Sequence, residues 1–562
     1  MRGGRYHAVL WVPLVAGTAL GDARFSTGDP AVDALQQLLV PALEANRKSF
    51  AGATGRVEGF GAGDAYPQVW LRDSATLVPL ARWHYPRDVL ASWIEEHLAH
   101  QQPDGSLYDW IAAGPASGFR QWAPHAQDVF KAGTTVISAD KNTTEADQET
   151  SAIDAAWRVW RLSGDAAWLR KDVRGRRLLD RLHDAAQFLV RRRLHRESGL
   201  VENALTADWG DVSPVYADQR AIYADPRTPM VVGLYTNTLL VRGADQLAEL
   251  AAAADDRVRA SYWRTRSATL RAAVASQLWQ EARGYFRMHV ALPPRPGPGG
   301  GSYTWPLPDA LQDDGGRFAL GGNAMAVLAG LATETQARRI FAAAEASRQQ
   351  AGLTSFGAVL LPPFPSGAFL QPAMREPWGY QNGGAWDWFA GRFVLAEFVA
   401  GHSRLARAHL AGLARRVQSA GGLFEWYTRD GIGRGSGRYA GSAAALGQAV
   451  IEGLFGVDLR DGRLELELRL DRSGAIRLQE PATNRNVDLR YKVEPQRLVL
   501  DVDTNATVGR IAVLLPRGKR VAEARIGEAP TAFTTEAVGD DVFAVVPTGK
   551  SPLRVELLLS LP

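Results

Sequence analysis

The chain contains no cysteine in its 562 residues, which excludes disulfides, thiolate metal sites and a thiol nucleophile. It also lacks any block of like charges, and its formal net charge is only +4, so neither a nucleic-acid footprint nor a charged interaction tail is present. Past the N-terminus, no run approaches the roughly 20 apolar residues of a membrane helix. The ten histidines are scattered. The one close helical pair, His97 and His100, has no carboxylate triad beside it, so no metal site is read. Gly59-Phe60-Gly61-Ala62-Gly63 lacks a strand-turn-helix frame and a downstream acid. It reads as a loop, and no cofactor is called for.

What is present is an ordinary globular composition, 46% hydrophobic and 22% charged, ample for a large core. At the N-terminus Arg2 and Arg5 precede an apolar run over 8–20, interrupted by Pro13, and small residues follow at Ala19, Gly21 and Ala23. This order over residues 1–23 matches a secretory signal and predicts a periplasmic or secreted protein. From 29 to 460, apolar residues recur at helical spacing in about twelve segments, arranged as six hairpins that alternate long decorated loops with short turns. The first helix is predicted over 29–50, a glycine-rich loop over 52–63 and one long helix over 166–195. From Leu464 the period changes to two, as in Leu464-Glu465-Leu466-Glu467-Leu468, and residues 461–562 are predicted to form a small all-β, sandwich-like domain.

Four loops combine carboxylates with aromatic rings. Glu425 stands between Phe424 and Trp426 before a glycine-rich turn, with Tyr427 following. Asp208-Trp209-Gly210-Asp211 and Trp378-Gly379-Tyr380-Gln381-Asn382-Gly383-Gly384-Ala385-Trp386-Asp387 are the second and third, and Trp70-Leu71-Arg72-Asp73 opens a helix. Ring faces stack on the apolar faces of a pyranose, and a carboxyl desolvated beside them can have its pKa moved for proton transfer. Each Trp taken singly also reads as core, and Asp73, like Asp147 and Glu149, also reads as a helix-terminal cap or dipole partner.

Six hairpins with these loops at one end resemble the (α/α)6 six-hairpin glycosidases. Trp70-Leu71-Arg72-Asp73 resembles the Trp-x-Arg-Asp segment of glucoamylases and debranching-type glucosidases, which implies a sugar-holding Asp73. Asp208-Trp209-Gly210-Asp211-Val212-Ser213-Pro214 resembles the general-acid loop of trehalases and processing α-glucosidases, and alignment on Ser-Pro implies Asp211 as the acid. Gly210 departs from that pattern and leaves Asp208 a competitor. Phe424-Glu425-Trp426-Tyr427 resembles the general-base loop and implies Glu425 as the base, although the usual Asp-Pro is missing after its Tyr. Gln381-Asn382-Gly383-Gly384-x-Trp386 is similar to an Asn-Gly-Gly-x-Trp loop of the same group, and the β domain is similar to that of bacterial α-L-rhamnosidases.

The resemblance implies an (α/α)6 toroid with a C-terminal β domain. It also implies an inverting hydrolase of an oligo- or polysaccharide, an α-glucoside or α-L-rhamnoside, that needs no cofactor. Trp70, Arg72, Asp73, Trp209, Trp378, Gln381, Asn382, Trp386, Asp387, Trp426 and Tyr427 become the expected substrate contacts. A glycoside phosphorylase on the same barrel would dispense with Glu425, and a carbohydrate-binding protein would need neither acid nor base.

Overall fold

The computed structural model describes residues 23–213, 215–225, 228–293, 311, 315–547 and 549–561. The signal-sequence expectation, apart from Ala23, lies outside them. Six helices are buried along most of their length: Leu71–Ala81, Gln148–Ser163, Leu234–Ala253, Leu320–Leu328, Asp387–Val399 and Ala440–Gln448. Each packs on the next, and Ala440–Gln448 packs on Leu71–Ala81. Residues that are apolar or small all round suit helices with neighbours on every side. Gly391, for example, lies against Ala445, where a Cβ would come within 2.8 Å of its backbone.

Gln36–Asn46, Arg87–Ala99, Leu178–Phe188, Arg257–Leu278, Glu334–Gln350 and Ser403–Ala420 pack on this inner set. Arg257–Leu278 and Glu334–Gln350 show one buried stripe each, as outer helices should. Thr333 and Gln336 form a capping box at the start of Glu334–Gln350, satisfying two backbone donors that the first helical turn leaves free.

The inner helices gather their N-terminal ends at one mouth. Arg72 bonds Asp147, Tyr439 bonds Asp73, Asp208 bonds Gly322, and Tyr235 meets Phe389 edge-on. Six helix N-termini at one place give that mouth a positive backbone potential, which favours carboxylates there.

Three expected elements differ. The first helix ends at Asn46, and Arg47–Gly52 pairs with Gly55–Phe60 as a hairpin in place of the glycine-rich loop. Buried Glu96 fixes its turn by accepting from the Ala53 and Thr54 amides and the Thr54 hydroxyl, a contact from 42 residues away that no local pattern announces. The long helix over 166–195 is broken into Ala166–Arg170 and Leu178–Phe188 by a small hairpin that turns at Gly175 (φ +81°). The last inner helix begins at Ala440 and continues past Gln448 as a wider turn to Leu454.

The C-terminal strands form two sheets. Val457–Arg460, Arg463–Leu468, Thr507–Leu514, Asp541–Val546 and Thr534–Val538 make one, in that order. The other runs from the edge strand Ala23–Ser26 through Gly474–Glu480, Arg485–Glu494, Arg497–Thr504, Leu553–Ser560 and Arg520–Ile526 to Ala529–Thr531. The β region therefore begins at Val457 and takes its first strand from the other end of the chain, paired with Gly474–Glu480. Leu464, Leu466 and Leu468 point inward by simple alternation. These sheets dock at the C-terminal ends of the inner helices, where Arg82 pairs with buried Glu480 and donates to the Leu459 carbonyl.

Candidate active site

Glu425 lies on the strand Phe424–Tyr427, whose alternation turns Glu425 and Tyr427 to the buried side. Three donors hold its carboxylate. Tyr380 Oη donates to Oε1 at 3.3 Å, and Oε2 accepts from Tyr66 Oη at 3.3 Å and from the Ser436 amide at 3.0 Å. Gly435 makes the third contact possible. Its φ is +72°, and a Cβ there would stand 2.5 Å from Oε2, so the paired strand Gly433–Gly437 can come this close only with glycine at that position. Burial, opposed by these hydrogen bonds and reinforced by Asp211 and Asp73, pushes the Glu425 carboxyl up to about 7.

Asp211 faces the same space from the second loop, with its side chain 28% exposed. Its Oδ1 accepts from Gln381 Nε2 at 2.9 Å, its Oδ2 lies 3.4 Å from Arg72 Nη2, and Asn142 holds its carbonyl at 2.7 Å. The extra glycine now has a reason, since a Cβ on Gly210 would meet Gln381 Oε1 at 2.5 Å and push away the amide that orients Asp211. Tyr66 and Tyr380 feel both Asp211 and Glu425, so the two phenols stand beside both carboxylates.

Arg72 is the buried hub. Its Nη1 pairs with Glu145 at 2.7 Å and Asp147 at 3.3 Å and donates to the Trp209 carbonyl at 3.2 Å, while its guanidinium lies 5.5 Å above the Trp388 ring. Asp109 bonds Glu145 behind it. Burial, reinforced by Asp147 and Asp211, holds both of these carboxyls well above the usual range. Asp73 accepts from Tyr439 at 3.4 Å, and burial lifts it to about 6. With Asp147 and Asp211 this makes five carboxyl groups in the field of one guanidinium, with Glu425 beyond them.

Several expected contacts are corrected. Asp208 turns away in a left-handed conformation (φ +59°) and accepts from the Gly322 amide at 2.9 and 3.2 Å. It caps the helix Leu320–Leu328, and burial pushes it up to about 7. Asn382 spends its amide on the backbone, bonding the Phe364 amide and carbonyl and the Met374 carbonyl. It pins a loop in which Trp378 and Tyr380 both adopt positive φ, a strained state for bulky residues that needs such support.

Asp387 is buried in an ion pair with Arg416, and the Tyr427 hydroxyl is used within its own turn, by the Phe424 amide and the Gly422 carbonyl. Trp209 stacks on Phe389 at 4.0 Å and meets Trp386 edge-on at 4.6 Å. Both indoles are buried packing elements. Trp378 packs with Leu353, Ala358 and Leu361 under Arg429.

Trp70, half-buried and edge-on to Tyr66 at 5.8 Å, and Trp426, edge-on to Tyr380 at 6.2 Å, stay beside the site. Sequence reasoning missed Tyr66, Tyr380, Tyr439, Asp109 and Glu145. Glu145 stood two residues before Asp147 at a helix start, and Tyr380 next to Gln381, which were usable signals. Asp109, between Tyr108 and Trp110, carried the same carboxylate-between-rings pattern as Glu425, whereas Tyr66 had no signal.

Residues 66–439 match the family of mannosylglycerate hydrolase MGH1-like glycoside hydrolase domains. No curated protein sequence matches the chain. Among solved structures, the GH78 family rhamnosidase of Bacillus sp. GL1 superposes with a TM-score of 0.58 at 14% identity, over 88% of this chain and 43% of that one. The α-L-rhamnosidase of Streptomyces avermitilis gives 0.58 at 12% identity, over 96% and 42%. The GH63 mannosylglycerate hydrolase of Thermus thermophilus, in complex with Tris, gives 0.50 at 18% identity, over 74% of this chain and 100% of that one. The chain thus spans less than half the length of those two rhamnosidases, and at these identities the likeness is one of fold. By the match over residues 66–439, the chain belongs to the family of MGH1-like glycoside hydrolase domains.

Proposed function

We propose that the chain is an inverting glycoside hydrolase in which Asp211 protonates the leaving oxygen and Glu425 activates water from the opposite face. The observation that carries this reading is the donor set on Glu425. An amide and two phenols all donate to its oxygens, an arrangement that suits a carboxylate kept as an acceptor and aimed at one water. Asp211, on the more open side and oriented by Gln381, is placed to meet a leaving group. Inversion would put the two carboxyls roughly 6.5–9.5 Å apart. Asp73, Arg72 and Tyr439 would hold the bound sugar, with Trp70 and Trp426 as its walls. The ring of six inner helices is taken as the closed (α/α)6 toroid of the six-hairpin glycosidases. The family's description and the neighbours' names suggest a short mannoside, glucoside or α-L-rhamnoside, including a sugar linked to glycerate.

One observation favours the opposite assignment. Glu425 is raised to about 7, the condition of a general acid near neutrality, whereas the Arg72 guanidinium is a ready counter-charge for an ionised Asp211. Leaving-group dependence separates the two. An acid variant keeps activity on aryl glycosides whose phenol leaves without protonation, and a base variant does not. Asp211→Asn is expected to retain turnover of dinitrophenyl glycosides while losing natural ones, and Glu425→Gln to lose both. The reverse pattern would exchange the roles, and phosphate-dependent turnover would make the protein a phosphorylase.

A further inference from the structure

Below the mouth, the inner helices enclose a second space of about 700 Å³ that reaches from Arg72 to the strands Val457–Arg460 and Arg463–Leu468. Three arginines meet in it: Arg158, Arg242 and Arg392. They share one carboxylate, Asp154. Its Oδ2 pairs with Arg158 Nε at 2.8 Å, and its Oδ1 takes Arg242 Nη2 at 2.9 Å together with Gln246 Nε2 at 2.6 Å. Arg392 has no carboxylate partner among the described residues. It donates to Tyr235 Oη at 3.1 Å and Thr76 Oγ1 at 2.8 Å and lies over the rings of Trp388 and Phe389.

Of the other acids of the wall, Asp245 pairs with Arg271, Asp458 with Arg161 and Arg460, Glu465 with Arg463, and Glu467 with Arg469 and Arg510. Glu249 takes the Trp157 indole, and Glu452, which accepts from the neutral Gln448 amide at 2.6 Å, is the second negative charge facing Arg158 and Arg242. Arg242 uses one of its five donors on Asp154 and keeps 21% of its side chain open to the chamber.

A surplus of buried carboxyls can be relieved by protonation, but guanidinium groups stay charged at any pH at which the protein is folded. Uncompensated cations in a low-dielectric space are costly. Burial first, and then the neighbouring Arg158 and Arg392, lower the pKa of Arg242, while against burial Asp154 and Glu452 hold that of Arg158 above its ordinary value. Guanidinium forks match tetrahedral oxyanions with paired hydrogen bonds, and the chamber volume falls in the range of small-molecule sites. We infer that the chamber between Arg158, Arg242 and Arg392 is a binding site for a small oxyanion, inorganic phosphate or a phosphorylated small molecule, separate from the sugar site.

Isothermal titration of the full chain with inorganic phosphate, at constant ionic strength set by chloride, tests this. One phosphate per chain is expected. Arg242→Gln and Arg392→Gln should each weaken it at least about tenfold, as loss of a charge-assisted contact does. Asp154→Asn should tighten it by removing the competing carboxylate, and Asp211→Asn should leave it unchanged. Circular dichroism establishes that each variant is folded, and Asp154→Asn and Arg392→Gln probe opposite signs, so a global loss of structure cannot mimic both results. Absence of phosphate binding to the wild type would overturn the inference. So would binding that survives both arginine variants, and binding tightened by Asp211→Asn would move the anion to the mouth, beside Arg72.

Discussion

The mouth and the chamber below it carry opposite charge problems. At the mouth, where the inner helices begin, five carboxyls crowd one arginine and Glu425 lies beyond. In the chamber below, three arginines meet Asp154, with Glu452 beside two of them. The acids follow the helix dipole, with Asp73 and Glu149 in first turns and Asp147 at an N-cap, whereas Arg158, Arg242 and Arg392 lie inside their helices, beyond its reach. The two surpluses are resolved by different means. At the mouth, burial reinforced by Asp211 pushes Asp73 and Glu425 up to about 6 and 7, so protons can relieve the crowding, and groups that hold protons near neutrality are what acid-base catalysis requires. The arginines have no such escape and call for a counter-ion.

The largest effect expected at the mouth is that of Glu425→Gln, with kcat lowered by at least about a thousandfold, measured on whichever glycoside proves active. Were most activity retained, the mouth would be a binding surface without a base. Next comes Asp387→Ala, which leaves Arg416 buried and unpaired and should lower stability by about 3–5 kcal/mol while leaving the kcat of the folded fraction near wild type. A selective loss of kcat or KM in that variant would return Asp387 to the substrate.

Gly435→Ala ranks third. Strain at positive φ and the clash with Glu425 should cost about 1–3 kcal/mol and lower kcat more than it raises KM, read from steady-state kinetics and thermal melts. An unchanged kcat would show that the Ser436 contact is dispensable.

The smaller effects concern pH. Because burial raises Glu425 to about 7, the native state holds this proton more tightly than the unfolded chain does. This contribution to stability is therefore fully present below about pH 4, where an unfolded Glu is also protonated, and is lost as pH rises to 7. Asp73 and Asp208, raised to about 6 and 7, act in the same sense, whereas Glu96 and Glu345, lowered to about 2, lose their contribution as pH falls toward 2. Melts should show a lower midpoint at pH 8 than at pH 5.5, and Glu425→Gln should gain stability over wild type at pH 8. In kinetics, the limb assigned to Glu425 should move to higher pH in Tyr66→Phe, which removes a hydrogen bond that stabilises the carboxylate, and to lower pH in Asp73→Asn, which removes a repelling charge. A limb indifferent to both would belong to another group.

How much of this was legible in the sequence varies with the range of the interactions. The helical segments were readable because periodicity is local. The hairpin Arg47–Phe60 was not, because its turn is fixed by Glu96 from a distant helix. At the site, motif order located the loops that carry Asp211, Glu425 and Arg72. It could not separate a loop's inward side chains from those that hold the loop up. Asn382, Asp387 and Tyr427 have the chemistry of sugar ligands but are committed to backbone or to Arg416. Tyr66 and Tyr439, outside the polar motifs, supply the hydroxyls that the carboxylates use. The arginine chamber was invisible, since Arg158, Arg242 and Arg392 lie on three helices and look like ordinary helix-face charges until the helices pack together.

The most direct test of the central claim is anomer-resolved proton NMR of the first product released from a panel of mannosides, glucosides and α-L-rhamnosides, including mannosylglycerate, without phosphate. Initial accumulation of the inverted anomer, absent in Glu425→Gln, is the predicted result. A first product of retained configuration would contradict it, because a water-activating base at Glu425 cannot give that outcome.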